Sequence, residues 1–203
     1  MAATKDEVIK WLEGKDDSTG NLVDIPWKIQ DFDKYLVLEN EKIPFSIYLV
    51  FEGTVLRIFL RTGIETAVID TQERLGIYRT LLLLNRHLDL VKFMLDGMNE
   101  EVISRVDLEM VSLSKEELNV GLNTLLSSLY LMVRALKLEK EFQEKVSERM
   151  MLMIQEMINQ GKSREEIKAF LVTRIGMSKD DSEKILNQLL GKSTDRSESG
   201  MYA

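Results

Sequence analysis

The chain has 203 residues, a formal net charge of −7, 44% hydrophobic and 30% charged side chains, and no cysteine. Such a length suits one ordinary domain with a smaller appendage, or two small domains. The missing cysteines exclude disulfides, thiolate chemistry and cysteine-ligated metals, and the acid excess disfavours non-specific nucleic-acid binding, whose affinity comes from neutralising phosphates.

Five helix starts use one device, a Ser, Thr or Asp at the N-cap with an acid three residues later. Each pair can satisfy the other's orphan N–H. They are Thr4 with Glu7, Asp70 with Glu73, Ser114 with Glu117, Ser163 with Glu166, and Ser178 with Asp181. The first predicts a helix to about Gly14, with Val8, Trp11 and Leu12 on one face. The opening residues lack a basic stretch ahead of an apolar one, and no later apolar run approaches the ~20 residues of a membrane span. Cytoplasm is the expected location. "DDSTGN" at 16–21 reads as a loop.

Residues 27–62 are rich in β-branched and aromatic side chains and read as strands, "KYLVLE" and "FSIYLVFEGTVLRIFL" above all. Glu52-Gly53 is the expected hairpin turn, which as a two-residue loop sets Phe51 opposite Thr54. One face then carries Phe45, Ile47, Leu49 and Phe51 with Leu56, Ile58 and Leu60, and is core. The other carries Ser46, Tyr48 and Val50 with Val55, Arg57 and Phe59, and is mixed.

Next comes a helix from about Thr71 to Asn85, with Leu75, Tyr78, Leu82 and Asn85 at helical spacing. "LVKFMLDGMNEEVISRVDLEM" is a second hairpin turned at "DGMNE". Its second strand puts Val102, Ser104, Val106, Leu108 and Met110 inward. Ile103, Arg105, Asp107 and Glu109 face water. After Ser114, Leu118, Leu122, Leu125, Leu129, Met132, Val133 and Leu136 make one helical stripe; Phe142, Val146, Met150, Met153 and Met157 make another. A break is expected between them, in "KLEKEFQEK". Two short helices follow at about 163–174 and 178–190, then a polar tail, 192–203, read as disordered.

The predicted fold is α+β. An antiparallel sheet of about five strands, in the order α-β-β-β-α-β-β-α over residues 1–138, carries helices on it, and a helical extension of about three helices fills 139–191. In this order residues 1–138 resemble the YbjN-like family and the wider type III secretion chaperone-like fold. The likeness is carried by "LLLLNRHLDLVKFMLD", "VISRVDLEM" and "LSKEELNVGLNTLLSSL", where a helix ending in Leu-Asn leads into a hairpin and a capped last helix. The resemblance implies helices packed on an antiparallel sheet, often a homodimer, holding protein segments without catalysis. It leaves residues 139–203 unexplained.

Candidate chemistry is sparse. His87 is the only histidine, with no nucleophile or second ligand to join it, and a helix end favours such a residue anyway. "GKS" at 161–163 follows a helix rather than a strand, so Gly161 reads as a helix stop and Ser163 as the next cap, not as a phosphate loop. The paired acids fall in loops or first helical turns, where they complement the helix dipole. No catalytic residue, metal ligand or cofactor is expected. A helix-turn-helix spacing at 163–190 opens its second helix with "SKDDSEK", acids at the end that would meet phosphate.

Two surfaces are candidate partner or dimer contacts. One is the mixed hairpin face with Tyr48, Val50, Arg57 and Phe59, where Arg57 over Tyr48 would make a cation–π pair. The other is the stripe of Met150, Met153 and Met157, which serves either adaptable partner binding or the core of the extension. The expected function is a non-enzymatic, chaperone-like adaptor that binds protein through apolar surface, as a homodimer. The competing reading is a nucleic-acid-associated regulator using 163–190.

Overall fold

The computed structural model describes residues 2–14, 20–41, 43–173 and 177–194. Most of the loop expected at 16–21, the first half of the "IGMS" turn and the tail from 195 lie outside the described residues. The chain divides into two compact units, residues 1–144 and 145–203.

In the first unit, helix α1 (Lys5–Leu12) starts from a complete capping box between Thr4 and Glu7 and buries Val8 and Leu12. A 3-10 turn (Leu22–Asp24) follows, tied to the last helix of the unit by a Val23 N–H bond to Asn119 and a Lys115–Asp24 ion pair. Strands β1 (Lys28–Asp31), β2 (Tyr35–Asn40), β3 (Ile43–Glu52) and β4 (Val55–Glu65) precede helix α2 (Thr71–His87). Strands β5 (Val91–Asp96) and β6 (Glu101–Glu109) and helix α3 (Lys115–Ala135) complete the α+β domain. All pairings are antiparallel, in the order β1-β2-β3-β4-β6-β5. The sheet therefore has six strands rather than about five. The extra strand, β1, is four residues long and half-exposed, too short to announce itself by alternation.

The inner face holds the core. Leu36, Leu38, Ile47, Leu49, Leu56, Ile58 and Leu60 are fully buried, and α3 lays Leu118, Leu122 and Leu125 against them. Each such side chain contributes about 1.5–3 kcal/mol by leaving water. Gly121 lets α3 approach closely, since a Cβ there would stand 3.2 Å from a Leu108 methyl and 3.4 Å from an Ile58 methyl. One polar pair sits within this core: the Ser104 and Ser128 hydroxyls are 2.8 Å apart.

The first hairpin differs from expectation in its turn. Glu52 pairs with Val55, so the two-residue loop is Gly53-Thr54, not Glu52-Gly53. Only Gly53 has a positive φ, of 59°, which suits the first central position of a type II′ loop, where glycine avoids the Cβ clash. The sorting of side chains to faces survives, because moving the turn by one residue moves the pairing by two. Each cross-strand partner changes: Tyr48 meets Phe59, and Arg57 meets Val50.

Helix α2 also turns differently from its expected stripe. Leu81 is buried and Ile77 and Leu84 pack against the core, whereas Leu75 and Leu82 are exposed. On β6, Ile103 is buried although it lies on the outer face.

The break between the two long helices falls at 136–138. Leu138 N–H bonds to the Val133 carbonyl at 2.8 Å and Lys137 N–H to that of Arg134 at 3.2 Å, with Lys137 at φ 58°. These are the 6→1 and 5→2 bonds of a Schellman stop. Helix α4 (Glu139–Asn159) then begins, and its Phe142 rests against Phe45 and Tyr130 at ring distances of 5.6 and 5.7 Å.

In the second unit, α4 ends with the same pair of bonds around Gly161, at φ 75°. Ser163 and Glu166 cap helix α5 (Arg164–Thr173) reciprocally, and Ser178 caps helix α6 (Lys179–Thr194). Helix α6 runs past Gly191, so residues 192–194 belong to it and not to the tail; glycine weakens a helix interior without forbidding it. Ile154, Ile167, Leu171 and Leu186 form a small core.

Candidate functional site

The outer face of the six-stranded sheet is the first candidate. In-register pairing lines up one row across all six strands: Gln30, Val37, Tyr48, Phe59, Arg105 and Lys92. The next row carries Tyr35, Val50, Arg57 and Asp107. Tyr48 and Phe59 stack at 5.1 Å with their planes 11° apart. The cation–π pair expected between Arg57 and Tyr48 is absent, because the register gives Tyr48 a phenyl ring as its neighbour. The helices of the first unit pack on the opposite face, so this one is open within that unit.

Its charges are tied down locally. Arg57 pairs with Glu52, and its Nε lies 3.8 Å from Asp107, buried without a hydrogen bond. Arg61 binds Asp96 and, at 3.0 Å, Glu101; Arg105 binds Asp107 at 2.8 Å. Such half-exposed pairs contribute about 0–1 kcal/mol each. Their chief effect is to leave no free guanidinium for a phosphate. Tyr48, Val50, Arg57 and Phe59 thus come together as one half-buried patch.

The methionine stripe does not stay together. Met150 and Met157 pack into the small core around Ile154, while half-buried Met153 lies outside that cluster. His87 is an exposed residue in the last turn of α2. Lys168 pairs with Glu183 and Lys184 with Asp181, at 3.2 Å, across and along the helix-turn-helix segment. Among the described residues no group of three His, Asp or Glu could hold a metal ion, and no helix is long and apolar enough to cross a membrane.

A second surface escaped the sequence reading. Of thirteen exposed large hydrophobic side chains among the described residues, seven fall between 68 and 98: Val68, Leu75, Leu82, Leu83, Met94, Leu95 and Met98. Hydrogen bonds tie the start of α2 and the turn before it to the turn between β5 and β6. Tyr78 on α2 donates to Glu100 at 2.6 Å, Thr66 donates to the Glu100 carbonyl at 2.9 Å, and Ala67 N–H reaches the Asn99 carbonyl. A signal was available in "LLLL" at 81–84. Successive helical residues point 100° apart, so four leucines cannot share one buried face.

The fold and its surfaces define an α+β domain joined to a helical unit. The chain belongs to the family described as "Domain of unknown function (DUF8183)", whose model matches residues 7–136. A second family model, labelled HTH_78 and also described as a domain of unknown function, matches residues 137–203. No curated protein matches the chain. Solved structures to which it is similar include YbjN from E. coli, described as a candidate transcription regulator, at 14% identity and a TM-score of 0.47, covering 66% of this chain and 90% of that one. They also include an uncharacterized protein from Methanothermobacter thermautotrophicus, at 17% identity and a TM-score of 0.45, covering 66% and 96%. YbjN, for which the resembled family is named, is thus among the similar structures, over a segment of the chain.

Proposed function

We propose that this chain is a non-catalytic, chaperone-like adaptor of the cytoplasm that binds protein through the open face of its sheet and works as a homodimer. The observation that carries the reading is the stacked Tyr48–Phe59 pair, flanked by Val37 and Val50, on a face that no helix of its own unit covers. Apolar area of this kind is worth about 25 cal/mol per Å² when a partner removes it from water. The arginines and carboxylates around it are paired within the chain, so contact between two copies about a two-fold axis would rest on the apolar centre and not on charge. The test is light scattering on the full chain at low and high salt, beside the double variant Tyr48→Lys/Phe59→Lys. A dimer that persists in salt and falls to monomer in the variant, with unchanged circular dichroism, supports the reading. A monomeric parent protein rejects the homodimer.

The second reading is a nucleic-acid-associated regulator using 163–190, favoured by the helix-turn-helix label of the model that matches 137–203. Against it, the first turn of α6 presents Asp180 and Asp181, where such a helix meets bases and phosphates. Duplex DNA binding that collapses as salt rises would restore it.

A further inference from the structure

We propose that the outer side of α2 docks an acidic amphipathic helix of a protein partner. This deepens the protein-binding reading and rests on it, but places the heterologous contact away from the sheet face. Leu75, Leu82 and Leu83 are exposed by 60, 69 and 51%. Leu75 and Leu82 lie two turns apart, about 10.5 Å along the axis, which is the anchor spacing of a helix-in-groove contact. Gly76, two turns before Leu83 on nearly the same line of the helix, borders open space: a Cβ there would meet nothing within 4 Å. No packing among the described residues requires that glycine, which in an exposed helix interior costs about 1 kcal/mol against alanine. Its open side admits the backbone of another helix.

Charge selects the occupant. Arg79 and Arg86 share this exposed face, and neither makes an ion pair among the described residues. Arg57, Arg61, Arg74 and Arg105 of the same unit are each paired with a carboxylate. In a chain of net charge −7, two free guanidiniums beside exposed leucines complement a partner that offers leucines flanked by acids. A second copy of α2 fits poorly, because its own arginines would meet these across a two-fold axis.

The probe is a synthetic three-heptad peptide with leucine on one face and glutamate on the flanks, beside the same peptide with lysine for glutamate. Fluorescence anisotropy with the full chain reads binding. The glutamate peptide should bind about tenfold more tightly than the lysine one. Arg79→Glu/Arg86→Glu should invert that order, and Leu82→Asp should abolish binding of both. No binding by the parent protein, equal binding of the two peptides, or a preference unmoved by charge reversal overturns the assignment. Binding lost in Tyr48→Lys/Phe59→Lys but kept in Leu82→Asp moves the site to the sheet face; the adaptor reading survives and this one falls. A monomeric parent that still prefers the glutamate peptide rejects the homodimer and leaves protein binding and this assignment standing.

Discussion

The side-chain amide of Asn85 pairs with both backbone polar groups of Phe93. Its Nδ2 donates to the Phe93 carbonyl at 3.0 Å and its Oδ1 accepts from the Phe93 N–H at 2.7 Å. Phe93 lies on β5, the last strand of the sheet, and groups that reach α2 cannot also reach β6. Asn85 therefore occupies the outward hydrogen-bonding groups at the centre of an edge strand. One side chain stands in for a neighbouring strand and closes an edge that would otherwise template pairing with another chain.

Asn85→Ala should lower stability by about 1–3 kcal/mol, since two partly buried backbone groups lose their partners. It should also promote concentration-dependent association through the freed edge. Denaturant midpoints and light scattering over a dilution series check both effects. A variant as stable and as monodisperse as the parent would show that water replaces the amide at no cost.

The two core serines should respond unequally. Ser128 donates to the Leu125 carbonyl at 2.7 Å, so its oxygen accepts from Ser104. Ser128→Ala strands the Ser104 hydroxyl in the core and should cost about 1–3 kcal/mol. Ser104→Ala leaves the Ser128 hydroxyl bonded and should cost less. Equilibrium unfolding of both variants reads the asymmetry, and equal costs would contradict this donor assignment.

Lys137 and Gly161 occupy the same position of the same helix stop, both with positive φ. Only the lysine carries a Cβ that this conformation disfavours. Lys137→Gly should raise stability by about 0.5–1 kcal/mol, the left-handed strain less the extra backbone entropy of glycine. A calorimetric melting temperature that falls would mean the lysine side chain contributes something the stop itself does not need.

Acid should weaken the caps. The backbone N–H of Thr4 holds Glu7 below its ordinary value of 4.5, the N–H of Ser163 does the same for Glu166, and the Ser178 hydroxyl holds Asp181 below 3.8. With each folded value depressed, the unfolded chain binds more protons. The stabilisation is then complete above the ordinary value and is lost as pH falls through the folded one. Glu166→Gln, which cannot titrate, should be less stable than the parent near neutral pH, with the gap closing below about pH 5. Urea unfolding from neutral to acid pH measures that gap, and a constant gap would remove the cap from the acid response.

Local chemistry was legible in the sequence. Side-chain periods of two and 3.6 sorted β3, β4, β6 and α3 into inner and outer faces, and the Ser, Thr and Asp caps marked where helices begin, because both signals act over a few residues. Gly161 and Ser163 likewise declared a stop and a start. Tertiary structure decided what depends on neighbours distant in the chain. The loop chose Gly53-Thr54, and that one-residue difference gave Tyr48 a phenyl ring instead of a guanidinium. The sheet offered α2 one bonding edge at Phe93, which Asn85 took. The core took Leu81, with Ile77 and Leu84 against it, and left Leu82 out. Met150 and Met157 found a core in Ile154, Ile167 and Leu171, while the same residue type at 153 did not. Apolar character states that a side chain gains by burial; only the surrounding packing states whether its own fold or another chain supplies it.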